Sequence, residues 1–180
     1  AQNNTVDHGA TVDAYLTQKF AADPTKYTEL KNTFRDSPAS AGGGSAPVII
    51  DLDQDGNVFS GNDVAFDMDE AAEGMETVSW IDSGDGFLTY LQQGALASDV
   101  KAGNKQLKGG NIVFAENTNE TDLEALKRRF DSDNNGKLTA ADSEWDRFGV
   151  WVDADQDGET DKGEFKTLDD LGLTEIDLTT

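Results

Sequence analysis

Twelve residues near the C-terminal end limit this chain more than any other feature. Asp153-Ala154-Asp155-Gln156-Asp157-Gly158 alternates three carboxylates and closes on glycine, and Asp161 and Glu164 follow. Carboxylates at that density repel one another at close range, so a compact fold through them needs a counter-charge. Calcium, a hard divalent cation, takes six to eight oxygens. The EF-hand loop delivers them from positions 1, 3, 5, 7, 9 and 12, with glycine at 6 for the sharp turn. Counted from Asp153, the stretch supplies Asp153, Asp155 and Asp157 at 1, 3 and 5, Gly158 at 6, the Glu159 carbonyl at 7, Asp161 at 9 and Glu164 at 12.

Two further stretches share this spacing. Asp131, Asp133 and Asn135 occupy positions 1, 3 and 5 of a loop with Gly136 at 6, the Lys137 carbonyl at 7, Thr139 at 9 and Asp142 at 12. Asp is a methylene shorter than Glu and reaches a cation less readily with both oxygens, which predicts weaker calcium binding and more tolerance of magnesium. Nearer the N-terminus, Asp51, Asp53, Asp55, Gly56 and Asn57 repeat the first half of the pattern, but Asn62 and Asp63 stand where Glu is expected. A carboxylate from elsewhere must complete that shell, and Asp63, Asp67 and Asp85 are the candidates. In chain order these are the first (Asp51), second (Asp131) and third (Asp153) loops. Asp67, Asp69, Glu70 and Glu73 before Gly74 form a weaker fourth candidate, while Asp82 and Asp85 read first as hairpin-turn residues. The expected cofactor is therefore calcium, three or more ions.

Charge agrees with this. Thirty-six acidic residues against 14 basic ones leave a net charge of -22, which argues against nucleic acid or anionic lipid as a partner. Nine Phe, three Trp and three Tyr are more aromatic residues than a solvating acidic segment carries, so a core is expected. With no cysteine, disulfides, thiolate metal sites and thiol nucleophiles drop out. No run approaches the ~18 apolar residues of a membrane span, and Ala1-Gln2-Asn3-Asn4 has neither the basic nor the apolar region of a signal peptide. The single histidine, His8, lies in a polar stretch and reads as a bystander rather than a base.

Periodicity predicts an α+β chain. Val12, Tyr15, Leu16 and Phe20 share one helical face and Tyr27, Leu30 and Phe34 another, with Asp23-Pro24 as a helix start between them. Residues 1–36 are therefore expected to form a helical hairpin, 37–46 a Gly/Ser-rich linker and 47–180 the calcium-binding domain. Short β-like runs follow at Val48–Ile50, Val64–Phe66, Thr77–Ile81, Phe87–Leu91 and Ile112–Phe114. Helices are expected at Asn119–Phe130, Ala140–Val152 and Lys162–Leu171, and a closing strand at Thr174–Leu178. The architecture expected is a small loop-rich β region packed against a paired EF-hand-like helical region, with Trp145, Phe148 and Trp151 in the core between the loops.

Particular residues point further. Pro47-Val48-Ile49-Ile50-Asp51-Leu52-Asp53-Gln54-Asp55-Gly56, Trp80 leading into Asp85-Gly86-Phe87-Leu88, and Ala125-Leu126 through Asp131-Ser132-Asp133 follow one another in order. Val150-Trp151 then precedes Asp155-Gln156-Asp157-Gly158, and Glu164-Phe165-Lys166-Thr167-Leu168 leads to Leu171-Gly172. From Pro47 to about Leu178 the chain resembles the calcium-dependent self-processing module of FrpC-like RTX proteins, secreted by Gram-negative bacteria. The resemblance implies a calcium-folded module whose N-terminal Asp-Pro bond breaks without a protease. The Asp carboxylate attacks its own carbonyl, the proline nitrogen leaves, and water or a lysine amine opens the anhydride, the amine giving an isopeptide link. Here Ala46 precedes Pro47, and alanine has no carboxylate for that step. The stretch Gln92–Gly110 also lacks the Asn/Asp-Gly loop of the family pattern, and Asp67–Glu76 looks remodelled.

The leading expectation is thus a calcium-binding module of a secreted or cell-surface bacterial protein, monomeric, without turnover at Ala46-Pro47. Flanking RTX modules, an extracellular protein or a glycan are the partners implied. The alternative is an adhesin-type domain in which calcium in the first loop captures a ligand. A groove-opening calcium sensor ranks last, because only two methionines are present.

Overall fold

The computed structural model describes residues 47–68, 74–117 and 120–179, together with the backbone of 15–18 and 27–30. Val12, Phe20, His8, Asp23-Pro24, Phe34, the 37–46 linker, Ala46, Asp69, Glu70 and Glu73 lie outside them. Among the described residues the chain is mainly β, with ten strands in three sheets and three short helices. This corrects the expectation of a paired EF-hand helical region.

The central sheet carries the first and third acidic loops. Strands β1 (Tyr15–Gln18) and β2 (Tyr27–Leu30) pair antiparallel, and β1 runs parallel to β3 (Ile49–Asp51). The segments expected as an N-terminal helical hairpin are therefore strands where they are described. β3 next pairs with β6 (Gly86–Tyr90), β6 with β8 (Phe148–Trp151) and β8 with β9 (Phe165–Thr167), each antiparallel. Between β3 and β6, strands β4 (Phe59–Phe66) and β5 (Glu76–Ile81) form a separate hairpin with a register shift near Phe59. A third sheet pairs β7 (Lys137–Thr139) with β10 (Glu175–Asp177), close to the expected closing strand.

Two of the expected helices are absent, and packing explains why. Phe148-Gly149-Val150-Trp151 is buried at all four positions in the interior of the sheet, the continuous apolar texture of a strand covered on both faces. A Cβ on Gly149 would lie 2.4 Å from the Phe165 ring and 2.5 Å from the Lys166 carbonyl, so glycine is what lets β8 approach β9. The three-residue spacing of Trp145, Phe148 and Trp151 mimicked a helix. Within the expected Ala140–Val152 helix only Trp145–Arg147 makes a single 3-10 turn, and within Lys162–Leu171 only Asp169–Leu171 does. Ile112–Phe114 is not a strand either; Ile112 ends a one-turn helix.

Helices α1 (Ala97–Lys101) and α2 (Gly109–Ile112) fill the Gln92–Gly110 stretch, and α3 (Asp122–Phe130) matches the helix expected before the second loop. Thr121 starts α3 with a capping box: its hydroxyl accepts from the Glu124 amide, and the Glu124 carboxylate accepts from the Thr121 amide. Two apolar clusters flank the sheet. One gathers Leu126, Phe130, Trp145, Phe148 and Ile176, the other Phe66, Trp80, Phe87, Trp151 and Phe165. The three aromatics at 145, 148 and 151 are indeed core, divided between the two clusters rather than sandwiched between paired loops.

Candidate metal centres

Each acidic loop hangs on a different frame. The first leaves β3, the second runs from α3 into β7, and the third lies in the hairpin connection from β8 to β9, closed by the Trp151–Phe165 pair. The second and third loops do not pair with each other; β7, at positions 7 to 9 of the second, takes β10 instead.

Despite these frames the backbones coincide. Position 4 has positive φ in all three, at Gln54 (64°), Asn134 (58°) and Gln156 (61°), and so does the position-6 glycine, at Gly56 (81°), Gly136 (82°) and Gly158 (78°). Glycine is favoured at position 6 because an L side chain is strained there. Gly158 is required for space as well, since a Cβ would stand 2.7 Å from Val64 on β4. The first carboxylate collects the amides of the turn. Gly56 donates to Asp51 at 3.1 Å, Gly136 to Asp131 at 2.9 Å and Gly158 to Asp153 at 2.9 Å. The position-5 side chain then accepts from position 7: Asn57 to Asp55 at 2.6 Å, Lys137 to Asn135 and Glu159 to Asp157 at 2.7 Å.

At position 12 the carboxylate bridges the loop. Asp142 accepts from the amides of Ser132 (2.7 Å) and Thr139 (2.9 Å), and Glu164 from those of Ala154 and Asp161 (both 2.9 Å). Positions 1 and 12 are buried in both loops, whereas Asp133, Asp155 and Asp157 are exposed. Oxygens of Asp131, Asp133 and Asp142 lie within 4.8 Å of one another, as do those of Asp153, Asp155 and Glu164, of Asp155, Asp157 and Asp161, and of Asp51, Asp53 and Asp55. That separation is about twice a calcium–oxygen bond, so each set can converge on one ion, and an all-oxygen donor set suits a hard cation.

The third loop has supports that local spacing did not reveal. The Trp80 indole N–H donates to Asp153 Oδ2 at 2.6 Å, and the Trp151 indole N–H to Glu164 Oε2 at 3.3 Å. Both rings are buried and meet edge to face, with centroids 5.8 Å apart. Carboxylates at positions 1 and 12 are thus oriented from beneath by the aromatic cluster. From α1 and its sequel, the Lys101 carbonyl accepts from Gly163, and Gln106 and Leu107 hold buried Thr160.

Comparison with known proteins places the chain in a family. The family model described as the SPM domain matches residues 48–180. The chain belongs to the SPM domain family. The iron-regulated protein FrpA of Neisseria meningitidis serogroup C is 29% identical over 141 residues, a match that takes in 73% of this chain and 12% of that protein. The chain thus spans a small part of its relative's length. Both findings fit the FrpC-like self-processing module that the residues resemble.

Electrostatics differ from loop to loop within the SPM domain. Burial pushes Asp153 up to about 6 and the charge of Glu164 adds to it, while the Gly158 amide and the Trp80 indole pull the other way. Burial also acts to raise Asp142, but the Thr139 and Ser132 donors outweigh it and its carboxyl is held below the ordinary value. Of the carboxylates proposed to complete the first loop, Asp63 is exposed on β4 and accepts from Ser79, and Asp67 is ion-paired with Lys108 at 3.0 Å. Asp85 alone reaches the loop, accepting from the Leu52 amide at 2.9 Å. It is fully buried, which pushes it up to about 7; the Leu52 amide opposes the rise, and the charges of Asp51, Asp53 and Asp82 add to it. Reading it as a plain hairpin-turn residue was therefore incomplete. No helix among the described residues is long and apolar enough to cross a membrane.

Proposed function

We propose that this chain is a calcium-binding module of a secreted bacterial RTX-type protein, folded by calcium, with residues 47–180 as the binding unit. One observation carries the reading. Three loops on three different frames share positive φ at positions 4 and 6 and the same hydrogen bonds from the turn amides to the position-1 and position-5 side chains. Membership of the SPM domain family and the likeness to FrpA support it.

The residues that would hold the ions are Asp51, Asp53, Asp55 and Asn57 in the first loop, Asp131, Asp133, Asn135, Lys137 and Asp142 in the second, and Asp153, Asp155, Asp157, Glu159 and Glu164 in the third. Bound calcium would supply the positive charge that these groups lack. Without it, buried Asp131 faces Asp142, buried Asp153 faces Glu164, and buried Asp51 faces Asp53 and Asp55, in a chain already at -22. Binding free energy is then also folding free energy. Excess chelator is expected to abolish the near-ultraviolet signal of the packed tryptophans. An unchanged signal contradicts the proposal.

The relation to self-processing is tested separately. Ala46 has no carboxylate to attack its own carbonyl, so the unsubstituted chain is expected to stay intact in calcium. Ala46→Asp is expected to confer calcium-triggered cleavage before Pro47, read as two fragments by mass spectrometry. An Ala46→Asp chain that stays whole in saturating calcium contradicts the processing relationship and leaves a binding module.

A further inference from the structure

The first loop has no acid at its own twelfth position, where Asn62 stands. After Asn57 its chain turns into β4 instead of returning, and β4 and β5 carry it away before the turn from Asp82 to Asp85 brings it back. The β3–β6 register pairs Ile50 with Gly86, so the next position along that ladder sets Asp51 beside Asp85. Gly84 closes the approach from the same turn: a Cβ there would come within 2.5 Å of Asp53 Oδ2.

We infer that Asp85 is the missing twelfth-position carboxylate of the first loop, so that a divalent-cation site of the calcium type is assembled from two segments of the chain. The inference rests on the calcium reading above. Two observations carry it. In the second and third loops the position-2 amide donates to one oxygen of the position-12 carboxylate, Ser132 to Asp142 and Ala154 to Glu164. In the first loop the position-2 amide, Leu52, donates to Asp85 Oδ1.

The second observation is independent of loop geometry. Asp85 is 0% exposed, and its other oxygen, Oδ2, is buried with no hydrogen-bond partner. A buried oxygen without a donor carries a desolvation cost that folded proteins seldom leave unanswered. A proton on Oδ2 does not answer it, because the hydroxyl would then need an acceptor. A cation shared with Asp51, Asp53 and Asp55 does. With Asp85 in place, the open coordination position required by the adhesin alternative is taken by the protein's own carboxylate.

The three loops can be read separately by nuclear magnetic resonance through their position-6 amides, Gly56, Gly136 and Gly158, in a calcium titration of the whole labelled chain. The Asp85 side-chain carboxyl signal is expected to move with the midpoint of Gly56. In Asp85→Asn the Gly56 midpoint is expected to rise about 100-fold or more, with Gly136 and Gly158 nearly unchanged, while Asp82→Asn in the same turn leaves all three in place. If Asp85→Asn does not fold, the carboxyl signal of the unsubstituted chain decides alone. A stationary carboxyl signal, or a Gly56 midpoint indifferent to Asp85→Asn, overturns the inference while Gly136 and Gly158 still respond. If no glycine responds, the calcium reading falls with it.

Discussion

Asp153→Asn is expected to remove the third loop's share of the calcium-dependent stability of the fold, about 4 kcal/mol. Asp153 is 0% exposed and accepts from Gly158, from Asp157 and from the Trp80 indole. An amide in its place loses the charge and turns one acceptor into a donor facing those same N–H groups. A site filled at about 1,000 times its dissociation constant adds about 4 kcal/mol to folding. Set against the roughly 5–15 kcal/mol of a typical domain, loss of that one site takes a large part of the margin. The readout is the difference in unfolding free energy between saturating calcium and chelator. It should shrink by about 4 kcal/mol in Asp153→Asn and by less in Asp155→Asn, whose side chain is exposed and whose place water can take. Equal calcium-linked stability in Asp153→Asn and the unsubstituted chain counts against the third loop as a site.

Replacements of Trp80 separate packing from hydrogen bonding. Its ring lies 5.1 Å from those of Phe66 and Phe87 and 5.8 Å from that of Trp151, so Trp80→Ala opens a large hole and should cost about 3–5 kcal/mol. Trp80→Phe keeps a smaller aromatic body in the cluster and removes the N–H that holds Asp153. It is expected to weaken calcium binding at the third loop about 10–100-fold, with a smaller loss of stability than Trp80→Ala. Calorimetry gives the affinity and urea unfolding the stability. Unchanged affinity in Trp80→Phe would make the indole a packing group and nothing more.

What the sequence disclosed and what it hid divide along range. Asp153, Asp155, Asp157, Gly158 and Glu164 were legible because an EF-hand loop is a contiguous device whose ligands sit at fixed offsets. The helix expected to end at Phe130 was legible as well. The frames around the loops were not legible in that way. Trp145, Phe148 and Trp151 fall at a helical spacing, yet Gly149 and Val150 lie in an interior strand whose burial on both faces erases the alternation that marks a strand. The familiar helices were expected because the loops were familiar, and the same loop backbone turns out to be held on strands. Support from Trp80 crosses 73 residues to Asp153, and that of Asp85 crosses 33 to Leu52. Contacts of that range depend on β-pairing, which no local pattern specifies. Asp85-Gly86 did carry a signal, an acid next to a glycine whose Cβ would strike Val150 at 2.2 Å, but it reads equally well as a turn.

The most direct measurement for the central claim is a calcium titration followed by calorimetry and circular dichroism on the same samples, starting from chelated protein and repeated with magnesium. The account predicts three or more calcium ions bound with a concurrent gain of near-ultraviolet tryptophan signal, and a weaker response to magnesium carried chiefly by the second loop. A chain whose dichroism is already complete in chelator, or that binds calcium without any structural gain, would contradict the claim that calcium folds it.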